Sequence, residues 1–238
     1  MNNNIMTLPD ENCTGCQLCS AICPHQAIQI WLNNEGFYRP LLDEKLCTDC
    51  GLCCKICYKF HEEGTKDTLK DLSCYAAYSK NSEILYNSSS GGVAYHLAKH
   101  FVDNGVKCIG VKYDSEQHIA IADIALNGHE IEAFRGSKYM QAFAQKAYRQ
   151  VLEDKSAQRY AIFGTPCQIY AFDKYARLLK IRDRFILIDF FCHGCPSILL
   201  WQKHLAEVQQ KVGPIKEIKF RSKRFGWKSK NQKTDATR

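Results

Sequence analysis

Eight of the 14 cysteines in this chain form two runs of identical spacing. The first is Cys13-x-x-Cys16-x-x-Cys19-x-x-x-Cys23, and Cys47-x-x-Cys50-x-x-Cys53-x-x-x-Cys57 repeats it 34 residues later. Thiolates so spaced suit a pair of 4Fe-4S cubes, each of which offers four iron corners to sulfur. Two residues between ligands let a short loop wrap three corners, and the fourth cysteine of each run reaches across to the other cube. By that pattern Cys13, Cys16, Cys19 and Cys57 hold one cluster, while Cys47, Cys50, Cys53 and Cys23 hold the other. Gly15 and Gly51 each fall inside a Cys-x-x-Cys interval, where amides must come close to sulfide and a side chain would obstruct. The chemistry implied is the movement of single electrons.

Three plainer uses of cysteine fit less well. Zinc usually takes paired Cys-x-x-Cys units separated by a longer spacer, not a three-step run repeated twice. Disulfide frameworks belong to small secreted domains, and the opening MNNNIMTLPDENC lacks a basic stretch followed by an apolar one. Chance does not produce two matching runs. Two irregularities remain: Tyr58 stands where a proline would complete the second run, and Cys54 adjoins Cys53. Only Cys53 preserves the spacing, so Cys54 is read as an unligated buried thiol.

A length of 238 residues allows one or two domains, of which the cysteine runs occupy about the first sixty. A hydrophobic fraction of 45% supports a core in the remainder. No apolar stretch is long enough to span a bilayer, and oxygen-sensitive cysteine chemistry places the chain in the cytoplasm. The net charge of +7 lies in residues 219–238, with eight Lys or Arg and one acid, while the rest balances. That distribution reads as a solvated basic tail, which argues against nucleic acid as a partner and offers at most a handle for an acidic redox protein.

Residues 58–72 read as a charged linker. Strands are expected at 106–113, 118–126, 159–163, 185–191 and 215–220. Helices are expected at 93–103, 139–154, from the GTPC loop to about 180, and from Ile198 to Val212; in the second of these Met140, Phe143, Ala147 and Val151 share a face. Apolar strands alternating with amphipathic helices predict a mainly parallel sheet covered on both faces. Three loops then stand at strand ends or helix starts, where ligands collect. Ser88-Ser89-Ser90-Gly91-Gly92 offers hydroxyls and bare amides suited to phosphate, although taken alone an ordinary serine cap with a glycine turn is the better reading. Gly164-Thr165-Pro166-Cys167 puts a thiol at a helix start. Cys192-His193-Gly194-Cys195-Pro196 adds two thiols and an imidazole. Cys167, Cys192 and Cys195 together are three of the four ligands of a third cluster, with Cys74 or Cys108 as a fourth; Cys108 reads rather as a core residue of its strand. A redox pair or two buried thiols are the alternatives for the Cys-x-x-Cys.

The order SSSGGVAYHLA, FRGSKYMQAF, AIFGTPCQIYA, DFFCHGCPS resembles the motifs of the coenzyme F-420 hydrogenase/dehydrogenase beta-subunit family, from about Cys74 to Trp227. The N-terminal part resembles the bacterial two-cluster ferredoxin often fused to it. The resemblance implies an α+β chain. A ferredoxin domain over 1–60 and a linker over 61–73 precede an α/β domain over 74–227, truncated or compact because relatives continue past FRSKRFGWK; a basic flexible tail, 228–238, ends the chain. It implies an iron-sulfur flavoprotein oxidoreductase in which FAD exchanges electron pairs with a small-molecule substrate and single electrons with clusters. The partner would be a redox protein or a hydrogenase- or dehydrogenase-like subunit. Ser89, Ser90, Gly91, Gly92, Arg135, Lys138, Gly164 and Thr165 are the flavin-site candidates that it implies. Lys138 would meet the phosphates or the ring, and an exposed helix-start lysine is its plain alternative. Arg135 has Glu132 as a rival partner to phosphate, and His193 a structural hydrogen bond as a rival role to proton relay. The rival function is a non-enzymatic ferredoxin-like electron carrier, or an inactive truncated fragment, that docks a partner.

Overall fold

The computed structural model describes residues 3–61, 72–223 and 235–237. The two cysteine runs fold as conformational copies. Gly15 and Gln17 in the first, and Asp49 and Gly51 in the second, all take positive φ, between 51° and 70°. A short helix starts directly after each: α1, Leu18–Ala21, and α2, Leu52–Ile56. The 34-residue offset of the sequence is thus an offset of the backbone. Between the runs lies an antiparallel hairpin of β1, Ile28–Leu32, and β2, Tyr38–Leu42.

After residue 72 come α3, Ser82–Asn87, α4, Val93–Asp103, β3, Lys107–Asp114, and β4, Ile119–Ala125. They are followed by β5, Ala142–Phe143, α5, Gln145–Glu153, β6, Tyr160–Gly164, and α6, Pro166–Leu178. Then come β7, Phe185–Asp189, α7, Ile198–Val212, and the pair β8, Glu217–Lys219, with β9, Asp235–Thr237. The central sheet runs β5-β4-β3-β6-β7. Three of its four pairings are parallel and only β3–β4 is antiparallel. The mainly parallel sheet of the sequence reading is therefore present, next to the small cysteine-bearing unit.

Side chains alternate across this sheet as strand geometry requires. Cys108, Ala161 and Phe163 enter one core with Val102 of α4, while Ile109, Tyr160 and Ile162 enter the other with Tyr148 of α5 and Phe172 of α6. Both faces are covered, as parallel pairing demands. Leu18, Ala21, Ile22 and Ile56 of the cysteine unit belong to that second core. One hydrophobic core thus spans both parts of the chain.

Two expected elements differ. The helix predicted over 139–154 begins only at Gln145, because Ala142 and Phe143 pair with Ala120 and Ile121 of β4. Met140 is buried against Trp201, and Phe143 meets the Tyr38 ring edge-on at 5.6 Å. Their helix-like spacing reflects two separate tertiary contacts, whereas Ala147 and Val151 do share the buried face of α5. The strand predicted over 185–191 stops at Asp189, and Phe190 and Phe191 emerge exposed. Most of the expected linker and of the expected mobile tail lies outside the described residues. Within that tail, Asp235–Thr237 forms a strand antiparallel to Glu217–Lys219.

Candidate iron-sulfur centres

Two solvent-open cavities lie in the cysteine unit, and their linings sort the eight cysteines. The outer cavity is lined by Cys47, Cys50 and Cys53 together with Cys23. The inner one is lined by Cys13, Cys16 and Cys19 together with Cys57. Each therefore gathers three cysteines of one run and the last of the other. Cys54 lines neither. Among the described residues no three His, Cys, Asp or Glu side chains close on a single ion-sized point. The cysteines stand around voids instead, as a cube with four ligated corners requires.

Local backbone holds this arrangement. The amides of Gly15 and Asp49, equivalent in the two copies, each donate to the sulfur of the first cysteine of their run at 3.4 Å. A Cβ on Gly15 would lie 2.7 Å from the Tyr38 carbonyl oxygen, so both its positive φ and that close approach require glycine. Gln17 is the copy of Gly51 and takes the same left-handed conformation despite its side chain. That side chain is buried, and it ties the first run to the start of α5: Nε2 donates to the Ala142 carbonyl, and Oε1 accepts from the amides of Ala144 and Gln145. Gln141 completes the tie, accepting from the Tyr38 amide at 2.6 Å and donating to the Thr14 carbonyl at 3.0 Å.

Burial raises the thiols of Cys16 and Cys19 well above the ordinary cysteine range, with neighbouring cysteines adding to the effect. Such thiols stay protonated until metal replaces the proton, so filling the inner cavity would release protons. Each cavity has one buried cysteine, Cys53 and Cys19, and of the eight only Cys50, in the outer one, is exposed. An outer and an inner position result.

The inner cavity abuts α6 through Ala171. Cys167 stands four residues earlier, one turn back along the helix, and is the strongest charge neighbour acting on Cys16. Cys195 in turn feels Cys192 and then Cys167, after burial as the main effect raising it. Cys167 stands in the first turn of α6, and in the loop after β7 Cys192 is exposed and Cys195 half-buried. Cys108 is fully buried in mid-strand and its sulfur donates to the Ala98 carbonyl, which leaves it a core residue, while Cys74 is exposed. His193 is exposed in the loop that carries Cys192.

The remaining candidates meet at a different place. The Ser137 amide donates to Ser89 Oγ at 2.6 Å, which brings the serine-glycine loop against the Arg135–Lys138 turn. Lys223, assigned to the solvated tail by its sequence context, donates to the carbonyls of Leu85 and of Ser90, the latter at 2.7 Å. A Cβ on Gly91 would lie 2.6 Å from the Ala77 carbonyl oxygen, and Gly92 caps α4 at φ 82°. Arg135 is held by Glu83 at 2.7 Å and by Glu132, and its guanidinium lies over the Tyr95 ring. The surface ion pair weighed for Arg135 is present. Lys138 donates to the carbonyls of Ala133 and Arg135, and burial pushes its ammonium down to about 8. Gly164 ends β6 and Thr165 caps α6: the Thr165 amide and hydroxyl both donate to Gln168 Oε1, at 2.9 and 3.1 Å. The Thr165 hydroxyl also lies 3.1 Å from Cys167 Sγ.

Two family models match the chain. Residues 12–60 match the 4Fe-4S dicluster domain, and residues 157–237 match the C terminus of the coenzyme F420 hydrogenase/dehydrogenase, beta subunit. The two matched segments do not overlap, and each covers less than half of the chain. The second match takes in the GTPC and CHGC motifs and leaves the serine-glycine loop and the Arg135–Lys138 turn outside it. Among solved structures, a chain of the F420-reducing [NiFe] hydrogenase complex from Methanosarcina barkeri is similar at 21% identity and a TM-score of 0.48. The similarity covers 62% of this chain and 55% of that one, so the chain spans little more than half of its length. No curated protein matches.

Reading the sequence alone missed Gln17, Gln141, Lys223 and Arg39. Only Gln17 left a trace, since the 34-residue offset aligns it with Gly51 and so marks a position of positive φ.

Proposed function

We propose that the chain relays single electrons through two 4Fe-4S clusters, from the outer site to the inner one and on to the Cys167, Cys192 and Cys195 group. The observation that carries this reading is the sorting of the cysteines: each cavity takes three from one run and one from the other. Bound clusters would supply one-electron chemistry, with Cys23, Cys47, Cys50 and Cys53 holding the outer and Cys13, Cys16, Cys19 and Cys57 the inner. The protein's own part is to fix both positions through a common core and to donate the Gly15 and Asp49 amides to sulfur. No helix among the described residues is long and apolar enough to cross a membrane. A docked partner, of the hydrogenase- or dehydrogenase-subunit type that the family model names, would take or deliver the electrons.

The finer reading adds FAD and a small two-electron substrate. What supports it is the meeting of the Ser89 loop with the turn that carries Lys138, a largely buried ammonium that donates to two backbone carbonyls. Against it, Ser89, Gly91, Arg135, Gly164 and Thr165 have contacts within the protein that explain them. The relay therefore stands on the clusters, with the electron carrier and the flavoenzyme as its two forms. Iron, sulfide and flavin analysis of anaerobically purified protein separates them. About eight irons without flavin indicates the carrier, and stoichiometric flavin the enzyme. Absence of iron and sulfide after anaerobic reconstitution would defeat both.

A further inference from the structure

Among the described residues, Arg39 is the cation set deepest in the cysteine unit. Its side chain is only 7% exposed, an expensive place for a guanidinium unless its surroundings compensate. Nε donates to the Asp10 carbonyl at 3.0 Å, Nη1 donates to the Tyr38 carbonyl at 3.0 Å, and the group lies over the Phe37 ring. The Asp10 carboxylate is 3.3 Å away but 58% exposed, so water screens it far more than it screens the arginine.

The position of Arg39 is fixed by its neighbours. The Tyr38 carbonyl that it holds is the atom packed against Gly15, inside the Cys13–Cys16 interval of the inner site. Gln141 joins the same Tyr38 to Thr14.

We infer that Arg39 is a positioning residue for charge, a buried cation that raises the reduction potential of the inner cluster. The inference rests on the two-cluster reading and deepens it by naming a residue that tunes one of the two sites. Adding an electron makes an iron-sulfur cluster more negative, and a nearby desolvated cation stabilises the added charge.

The test is a redox titration followed by low-temperature electron paramagnetic resonance on the full-length, reconstituted protein. Arg39→Gln should lower the inner midpoint potential by about tenfold in electron partition, which is 59 mV for a one-electron couple, and leave the outer one in place. Asp10→Asn, a change at an exposed side chain, should shift the inner midpoint upward. Arg39→Lys should restore most of the wild-type value. Cys50→Ser, which strips the outer site of a ligand, identifies which midpoint is inner. If Arg39→Gln fails to fold, Asp10→Asn alone decides by the sign of its shift. Protein with eight irons whose inner midpoint is unmoved by either change overturns the role of Arg39 and leaves the relay standing. Protein without clusters defeats the relay itself.

Discussion

Gln17 Nε2 donates to the Ala142 carbonyl at 2.7 Å, across 125 residues of chain. The same side chain accepts from the amides of Ala144 and Gln145, so it supplies the hydrogen bonds that the first turn of α5 lacks. Gln17→Leu keeps the bulk and strands those buried amides. Unfolding free energy should fall by about 2–4 kcal/mol, on the order of one to two unsatisfied buried donors. Urea denaturation monitored by circular dichroism measures it, and a loss below about 0.5 kcal/mol would show that the tie is slack.

The crossed linings give a prediction about pairs of variants. Cys57→Ser should reproduce the iron content and paramagnetic spectrum of Cys16→Ser, its partner around the inner cavity. Cys23→Ser should reproduce those of Cys50→Ser. Each should lose about four irons. If Cys57→Ser behaves like Cys50→Ser, each run closes its own cluster and the crossing is wrong.

At Cys192 the expected result separates a third cluster from a bare thiol pair. Wild-type protein with a cluster on Cys167, Cys192 and Cys195 holds about twelve irons, and Cys192→Ser should lose about four of them. Equal iron in both proteins, at about eight, would reduce the group to free thiols.

Lys138 offers a pH test. Burial lowers its folded value to about 8 from an unfolded value of 10.5, so the folded state binds fewer protons between those limits. Stability should therefore rise as pH increases from about 8 toward 10.5, by at most about 3 kcal/mol, with the cost of the buried charge fully present below pH 8. Lys138→Met should be the more stable protein at pH 7 and should flatten this rise. Denaturant midpoints at pH 7 and pH 10 check both, and a parallel pH dependence in the two proteins would count against it.

Much of this arrangement was legible from residue order. The helices over 93–103 and 198–212 lie as their periodicity predicts, and the ligand spacing anticipated which cysteines share a cavity. Local periodicity failed at Met140 and Phe143, whose burial comes from Trp201 and Tyr38, far away in sequence. Arg39 was silent for a similar reason: an arginine buried under its own hairpin has no local pattern to announce it. The 34-residue offset marked the backbone of Gln17 but not the distant helix start that its side chain caps. Lys223 was misread because a basic run hides one lysine that donates inward.

Leu18, Ala21, Ile22 and Ile56 lie in the same apolar core as Tyr148 and Phe172. If both sites hold clusters, this shared packing, not diffusion of a tether, would set the gap between them and the second part of the chain. Thickening the solvent with glycerol should slow the arrival of an external donor while leaving the internal hops at their original speed.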